Sequence, residues 1–473
     1  MIALALLFTC LAGWLILGPW LRTRPQIGPV VTLCLSFAAG AAALSLQLLL
    51  CNLGHIPWNR ATVIAPWAAA CAAVLYRRRG SLRLAWPKWS RPAWSEWPAL
   101  LGAALFAAIV LLAWVPYERL MPLNEWDAIM LWMFKGKAFY LDGSVAPYLR
   151  RAHEFLGNPA YPLLIPLYAT FLYIWMGEAA DQAAKLLSPC FFASLAAGFY
   201  YFVRRFGSRP VAAIFTAMLI GLYMVDLVAF HYAGYADTAV AASVLLGAGF
   251  LYAWFLEDDY ADFALAVVFA SLGAWTKNEG QFFLGGFGLL AAGRLLWKRA
   301  WGWRYWLTLV AVPGLAVVPW AVARSLYGVK RPGQLSGEIV QTNVTSYWPT
   351  VKALVEHAFA PSIFNIAFPL CLLAVLLHRR FGLGPRFLVL PLLVLWQLFG
   401  VTLVYVTGPI NLQWMIGSSL DRVLSQIAPL ALLSAALVFA AYYNVAEARV
   451  VASSAPAKKA PGKPGLAARK HRK

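Results

Sequence analysis

Asn124-Glu125-Trp126-Asp127 places two carboxylates beside a tryptophan, and Lys135 and Lys137 follow in the apolar stretch that continues from it. Charged residues make up 12% of this chain, so such a gathering just past an apolar run reads as a reactive site or as a solvated loop end. A carboxylate set between a tryptophan and an apolar helix is partly desolvated, which raises its basicity. Asp127 is therefore a candidate general base, able to take a proton from an acceptor hydroxyl. Glu125 is the competing carboxylate. An aspartate that merely caps a juxtamembrane helix is the alternative for Asp127.

Three further polar groups stand out against apolar surroundings. Asp237 ends His231-Tyr232-Ala233-Gly234-Tyr235-Ala236-Asp237 and precedes a long apolar run; it would orient an acceptor, bind a cation, or cap a helix. Lys277, in Thr276-Lys277-Asn278-Glu279-Gly280, is flanked by two short apolar segments, and pairs with an anion such as a phosphate or, more simply, with Glu279. Arg422 follows Asp421 at the start of the last apolar run; it would take phosphate oxygens bidentately, pair with Asp421, or anchor the interface. Lys135 and Lys137 would hold a lipid phosphate or reach to the interface as cations do. Glu279, His231, Tyr235, Tyr161 and His153 are expected to meet the acceptor or support these groups. His231 has no neighbours at metal-ligand spacing.

The elements that must position these residues are membrane helices. Hydrophobic residues form 62% of the 473, and apolar runs of roughly 20 residues, the length that crosses a bilayer as helix, recur along the chain. Their continuity, without alternation, excludes a β-barrel. The expected fold is all-α and polytopic, with about thirteen spans and one re-entrant or juxtamembrane helix, the proline-interrupted segment at about 159 to 176, which is either half-inserted or surface-lying. Residues 1–96 form N-terminal spans and a basic loop, 97–443 the main membrane domain, and 444–473 a disordered basic tail. Met1 to Trp20 lacks a basic leader and reads as a retained span.

Net charge is +20, yet the basic residues sit in short loops and the tail, the pattern of cytoplasmic loops rather than of nucleic-acid binding. Arg77-Arg78-Arg79, Arg204-Arg205 and Lys298-Arg299 are expected inside. Glu125, Asp127, His231, Asp237, Lys277 and Arg422 then all fall outside. The six cysteines show no CxxC or Cys/His spacing and read as packing residues.

The order of these features resembles the GT-C class of polyprenyl-phosphate-sugar-dependent glycosyltransferases, which includes protein O-mannosyltransferases and the aminoarabinose transferases of lipid A. The matching elements are Asp127 within Glu-Trp-Asp-Ala, Tyr161-Pro162 to Pro166, Gly234 to Asp237, Thr276 to Gly280, and Ser418-Ser419-Leu420-Asp421-Arg422. They cover roughly residues 97 to 443. The resemblance implies a GT-C-like fold in the bacterial inner membrane. A sugar would pass from a polyprenyl-phosphate carrier to a saccharide, lipid or protein acceptor on the periplasmic or exterior side, with inversion. Asp127 would be the base, and Lys277 and Arg422 would stabilise the departing phosphate. With no DxD element on that face no cofactor is expected, a divalent cation being the alternative. A transporter or flippase of a lipid-linked saccharide is the competing class, because polar groups within membranes also line pathways. A non-catalytic envelope scaffold would need none of these polar groups.

Overall fold

The computed structural model describes residues 1–24, 27–77, a scatter of positions between 94 and 108, 123, 125–151, 158–225, 234–299, 302–329, 346–359, 366–407 and 412–454. Among these the protein is helical, with no strand. The helices are α1 (Ile2–Leu21), α2 (Pro29–Leu53), α3 (Arg60–Arg77), α4 (Phe134–Asp142), α5 (Ala146–Arg150), α6 (Leu164–Met176), α7 (Asp181–Lys185), α8 (Leu187–Phe206) and α9 (Arg209–Val225). There follow α10 (Asp237–Glu257), α11 (Tyr260–Thr276), α12 (Asn278–Trp297), α13 (Trp303–Leu326), α14 (Tyr347–Phe359), α15 (Ala367–Leu377), α16 (Val389–Thr407) and α17 (Leu412–Ser454). A π-helical turn, Ala128–Met133, leads into α4.

Among the described residues seven helices are long and apolar enough to cross a membrane, and four shorter apolar ones accompany them. This is an all-α membrane protein. The exposed faces are as apolar as the interior: on α13, Trp303, Leu307, Val310, Leu315 and Val318 all point outward. Such a surface suits hydrocarbon as solvent, since a helix satisfies its backbone internally.

The expected span near 97 to 116 lies largely outside the described residues. The segment at 159 to 176 does form a short helix, α6, but it does not lie on the surface. Leu163 to Phe171 are almost wholly enclosed, because α6 packs on α2 and α4. At 13 residues it reaches about 20 Å, too little for a full crossing of about 30 Å. The last helix also departs from expectation: α17 continues to Ser454, past the point where the basic tail was expected to begin as disordered chain.

Packing is centred on α10, which touches α8, α11, α12, α16 and α17. The N-terminal helices join the same body. A Cβ on Gly13 would lie 1.8 Å from the Ser36 carbonyl oxygen, and one on Gly40 would lie 1.9 Å from that of Thr9. The α1–α2 crossing therefore needs glycine on both sides, the small-residue contact typical of membrane helices. Thr9 hydrogen-bonds to Tyr168 on α6 at 2.8 Å, and the Trp275 indole on α11 donates to Ser45 on α2.

The two ends of α10 carry different chemistry. At its C-terminal end Asp262 accepts from Arg24 and from Arg205, each at 2.7 Å, while Arg205 also bonds Glu257 at 2.6 Å. Arg294 and Lys298 close on Asp258 beside them. These ties clamp α1, α8, α11 and α12 at the end where the sequence places the cytoplasmic loops. The other end bears the candidate site.

Candidate active site

Asp237 opens α10, and the cap position belongs to Ala236. Its carboxylate takes up side chains from two other helices instead: Oδ1 accepts from Lys277 at 3.1 Å and from Gln426 at 2.5 Å. The residue is 2% exposed. Its Oδ2 has no hydrogen bond among the described residues and lies 4.0 Å from Arg422 Nε. Approach to this end of α10 is set by Gly234, whose φ of 87° favours glycine and whose amide donates to Ser188 at 2.9 Å.

Lys277 sits where α11 stops and α12 starts, in extended backbone with φ −158° and ψ 162°. The turn is tight because Gly280 presses on α11; a Cβ there would meet the Gly273 carbonyl oxygen at 1.9 Å. The ammonium, 3% exposed, bonds Asp237 and, at 2.9 Å, Glu279 Oε1. Burial alone would lower its pKa, but the Asp237 and Glu279 carboxylates override that and raise it. Lys277 is thus a fixed cation. Glu279 Oε2 is buried without a hydrogen bond among the described residues, and Gln397 of α16 lies against the Glu279 backbone carbonyl.

Arg422 reaches in from α17. Its Nη1 donates to Asp127 Oδ2 at 2.6 Å, and its guanidinium lies 4.7 Å above the Tyr235 ring. Asp127 does occupy the cap position of the π-helical turn, yet its side chain makes no capping bond. It is spent on Arg422 instead, so the capping alternative describes neither Asp127 nor Asp237. Arg422 and Gln426 stand four apart on one helix, hence on one face.

Aromatic groups complete the cluster. Burial, and then the nearby Glu279, push the Tyr161 hydroxyl up to about 12. Burial and the nearby Asp127 likewise raise that of Tyr235, and Glu125 acts on Tyr235 in the same direction. Both phenols stay protonated at neutral pH and so keep an O–H able to donate. The Tyr161 ring also packs against that of Trp132, tilted by 31° with centroids 5.5 Å apart.

Asp127, Arg422, Asp237, Lys277 and Glu279 therefore form one chain of alternating charge, with Glu125, Tyr235 and Tyr161 beside it. Lys137 is not part of that chain; it pairs with Asp181 at 2.5 Å. Lys135 is wholly enclosed, donates to the Asn158 carbonyl at 2.5 Å and lies 5.8 Å from the Trp132 ring centre. Desolvation brings its pKa down to about 7. His153 and His231 lie outside the described residues. Asp421 bonds His357 on α14 at 2.7 Å rather than its neighbour Arg422. Gln426 was missed by the sequence reading, although its spacing from Arg422 is a signal that could have found it.

All six cysteines are free thiols. No group of three or more metal-ligating side chains occurs among the described residues. Comparison with protein-family models, with curated proteins and with solved structures finds no match to this chain.

Proposed function

We propose that this protein is an integral-membrane glycosyltransferase of GT-C-like architecture. It moves a sugar from a polyprenyl-phosphate carrier to an acceptor on the extracytoplasmic side of a bacterial inner membrane, with inversion. One observation carries the reading: a carboxylate at the head of the first loop helix, Asp127, shares a single cluster with the partly buried Arg422 and the buried Lys277 at one end of the bundle.

That arrangement suits transfer from a good leaving group. The acceptor oxygen attacks the anomeric carbon, its proton passes to Asp127, and the bond from that carbon to the phosphate oxygen breaks with its electron pair on the phosphate. Arg422 and Lys277 offset the charge that develops there. Asp237 holds both cations in place, and Glu279 and Gln426 fix the far sides of Lys277 and Asp237. No acid is needed, because phosphate leaves as an anion.

The test is transfer of labelled sugar from polyprenyl-phosphate donors by the chain in nanodiscs. Asp127→Asn should remove turnover by about 10²-fold to 10⁴-fold while the protein stays folded. Undiminished turnover in that variant overturns the assignment of the base. Movement of the lipid across the bilayer with no sugar transfer replaces the enzyme by the transport reading.

A further inference from the structure

The cluster holds three carboxylates, Asp127, Asp237 and Glu279, against two cations, Arg422 and Lys277. In the resting geometry both cations are already neutralised, so an entering phosphate meets an acidic surplus. To engage Arg422 through Nη1 it must displace the Asp127 carboxylate. The three differ in how firmly they are held. Asp237 is almost wholly buried and bonds Lys277 and Gln426. Glu279 stands in the first turn of α12 and bonds Lys277. Asp127 bonds Arg422, its side chain is 21% exposed, and it heads a π-helical turn next to the exposed Trp126. Such turns are rare and recur where helices serve function. Beneath Arg422 the Tyr235 ring supports the guanidinium independently of Asp127.

We propose that the lipid phosphate takes Arg422 from Asp127, and that only this exchange frees Asp127 to act as base. The inference rests on the glycosyltransferase reading and adds an order to it. While Arg422 Nη1 donates to Asp127 Oδ2, that oxygen is occupied and not open to the acceptor's proton; once the phosphate has replaced it, the freed carboxylate faces the acceptor. Donor binding thus precedes proton removal, and activation of an acceptor without a donor is suppressed.

The experiment titrates farnesyl phosphate into the full chain in neutral-lipid nanodiscs by calorimetry. Asp127→Asn removes the competing charge and should bind the probe about tenfold more tightly than wild type, the scale of one such coupling. Asp127→Ser should show the same gain, and Arg422→Gln added to either should erase it. Equal or weaker binding by both single variants overturns the exchange, as does a gain that survives loss of Arg422. Sugar transfer is scored separately on the same proteins. Transfer by wild type with no gain in the variants keeps the enzyme and discards the exchange. A gain in the variants with unchanged transfer by Asp127→Asn keeps the exchange and discards the base.

Discussion

Arg422 on the last helix donates to Asp127, 295 positions earlier in the chain, at 2.6 Å. Arginine can serve Asp127 with one arm while its Nε stays 4.0 Å from Asp237; a lysine ammonium is a single point charge and cannot copy that fork. Arg422→Lys should therefore lower kcat/KM for sugar transfer by about 10²-fold, the scale of one lost transition-state donor. Steady-state kinetics on folded variant checks this, and a variant with wild-type kcat/KM would show that the fork is dispensable.

Lys277 and Asp237 form a buried pair, 3% and 2% exposed in their side chains. Removing Lys277 strands the buried Asp237 carboxylate, at about 3–5 kcal/mol, whereas removing Asp237 leaves Lys277 paired with Glu279. Lys277→Met should therefore lower the melting temperature in detergent more than Asp237→Leu and Lys277→Met together. Simple addition of the two losses would mean that the residues are not coupled.

Gly280 and Gly293 stand on the same helix, α12, in opposite situations. A Cβ at Gly280 meets the Gly273 backbone oxygen at 1.9 Å, and one at Gly293 meets nothing within 4 Å. Gly293→Ala should leave stability unchanged or raise it by about 0.5–1 kcal/mol. Gly280→Ala should cost about 1–3 kcal/mol and, by shifting the turn that bears Lys277, weaken binding of prenyl phosphates. Melting curves and a phosphate titration on the two variants separate these outcomes.

Lys135 gives a signature in pH. Its folded pKa is about 7, against about 10.4 for a free lysine. Between those values the unfolded chain carries a proton that the folded chain lacks, so stability rises with pH across the window and is lowest below it. The slope is about 1.4 kcal/mol per pH unit at most. Lys135→Met should flatten it, which melting temperatures at pH 7, 8 and 9 will show; an unchanged slope would assign the effect to another group.

The sequence made the charged cluster legible because ionisable residues are so sparse among apolar ones that Asp127, Asp237, Lys277 and Arg422 could be singled out and placed on one side by loop charge alone. What it could not show was who pairs with whom. Glu279 was legible as a partner of Lys277 because it is two residues away, but Asp237 lies forty positions off and is brought there by the antiparallel run of α10 and α11. Asp421 beside Arg422 suggested a pair, yet side chains one apart on a helix point away from each other, and His357 takes it. The number of spans was legible only coarsely. Apolar content marks both a lipid-facing helix such as α13 and an enclosed short one such as α6, and composition does not separate them.

The length of α17 sets a mechanical condition on the active end. Its 43 residues measure about 65 Å, roughly double the oily thickness of a bilayer. Such a helix must lean or protrude, and Pro429 inside it is the place where it can bend. Arg422 and Gln426 lie on the N-terminal side of that proline, so a tilt or bend imposed by membrane thickness or by a load on the far part of the helix would be passed into the spacing between Arg422 and Asp127.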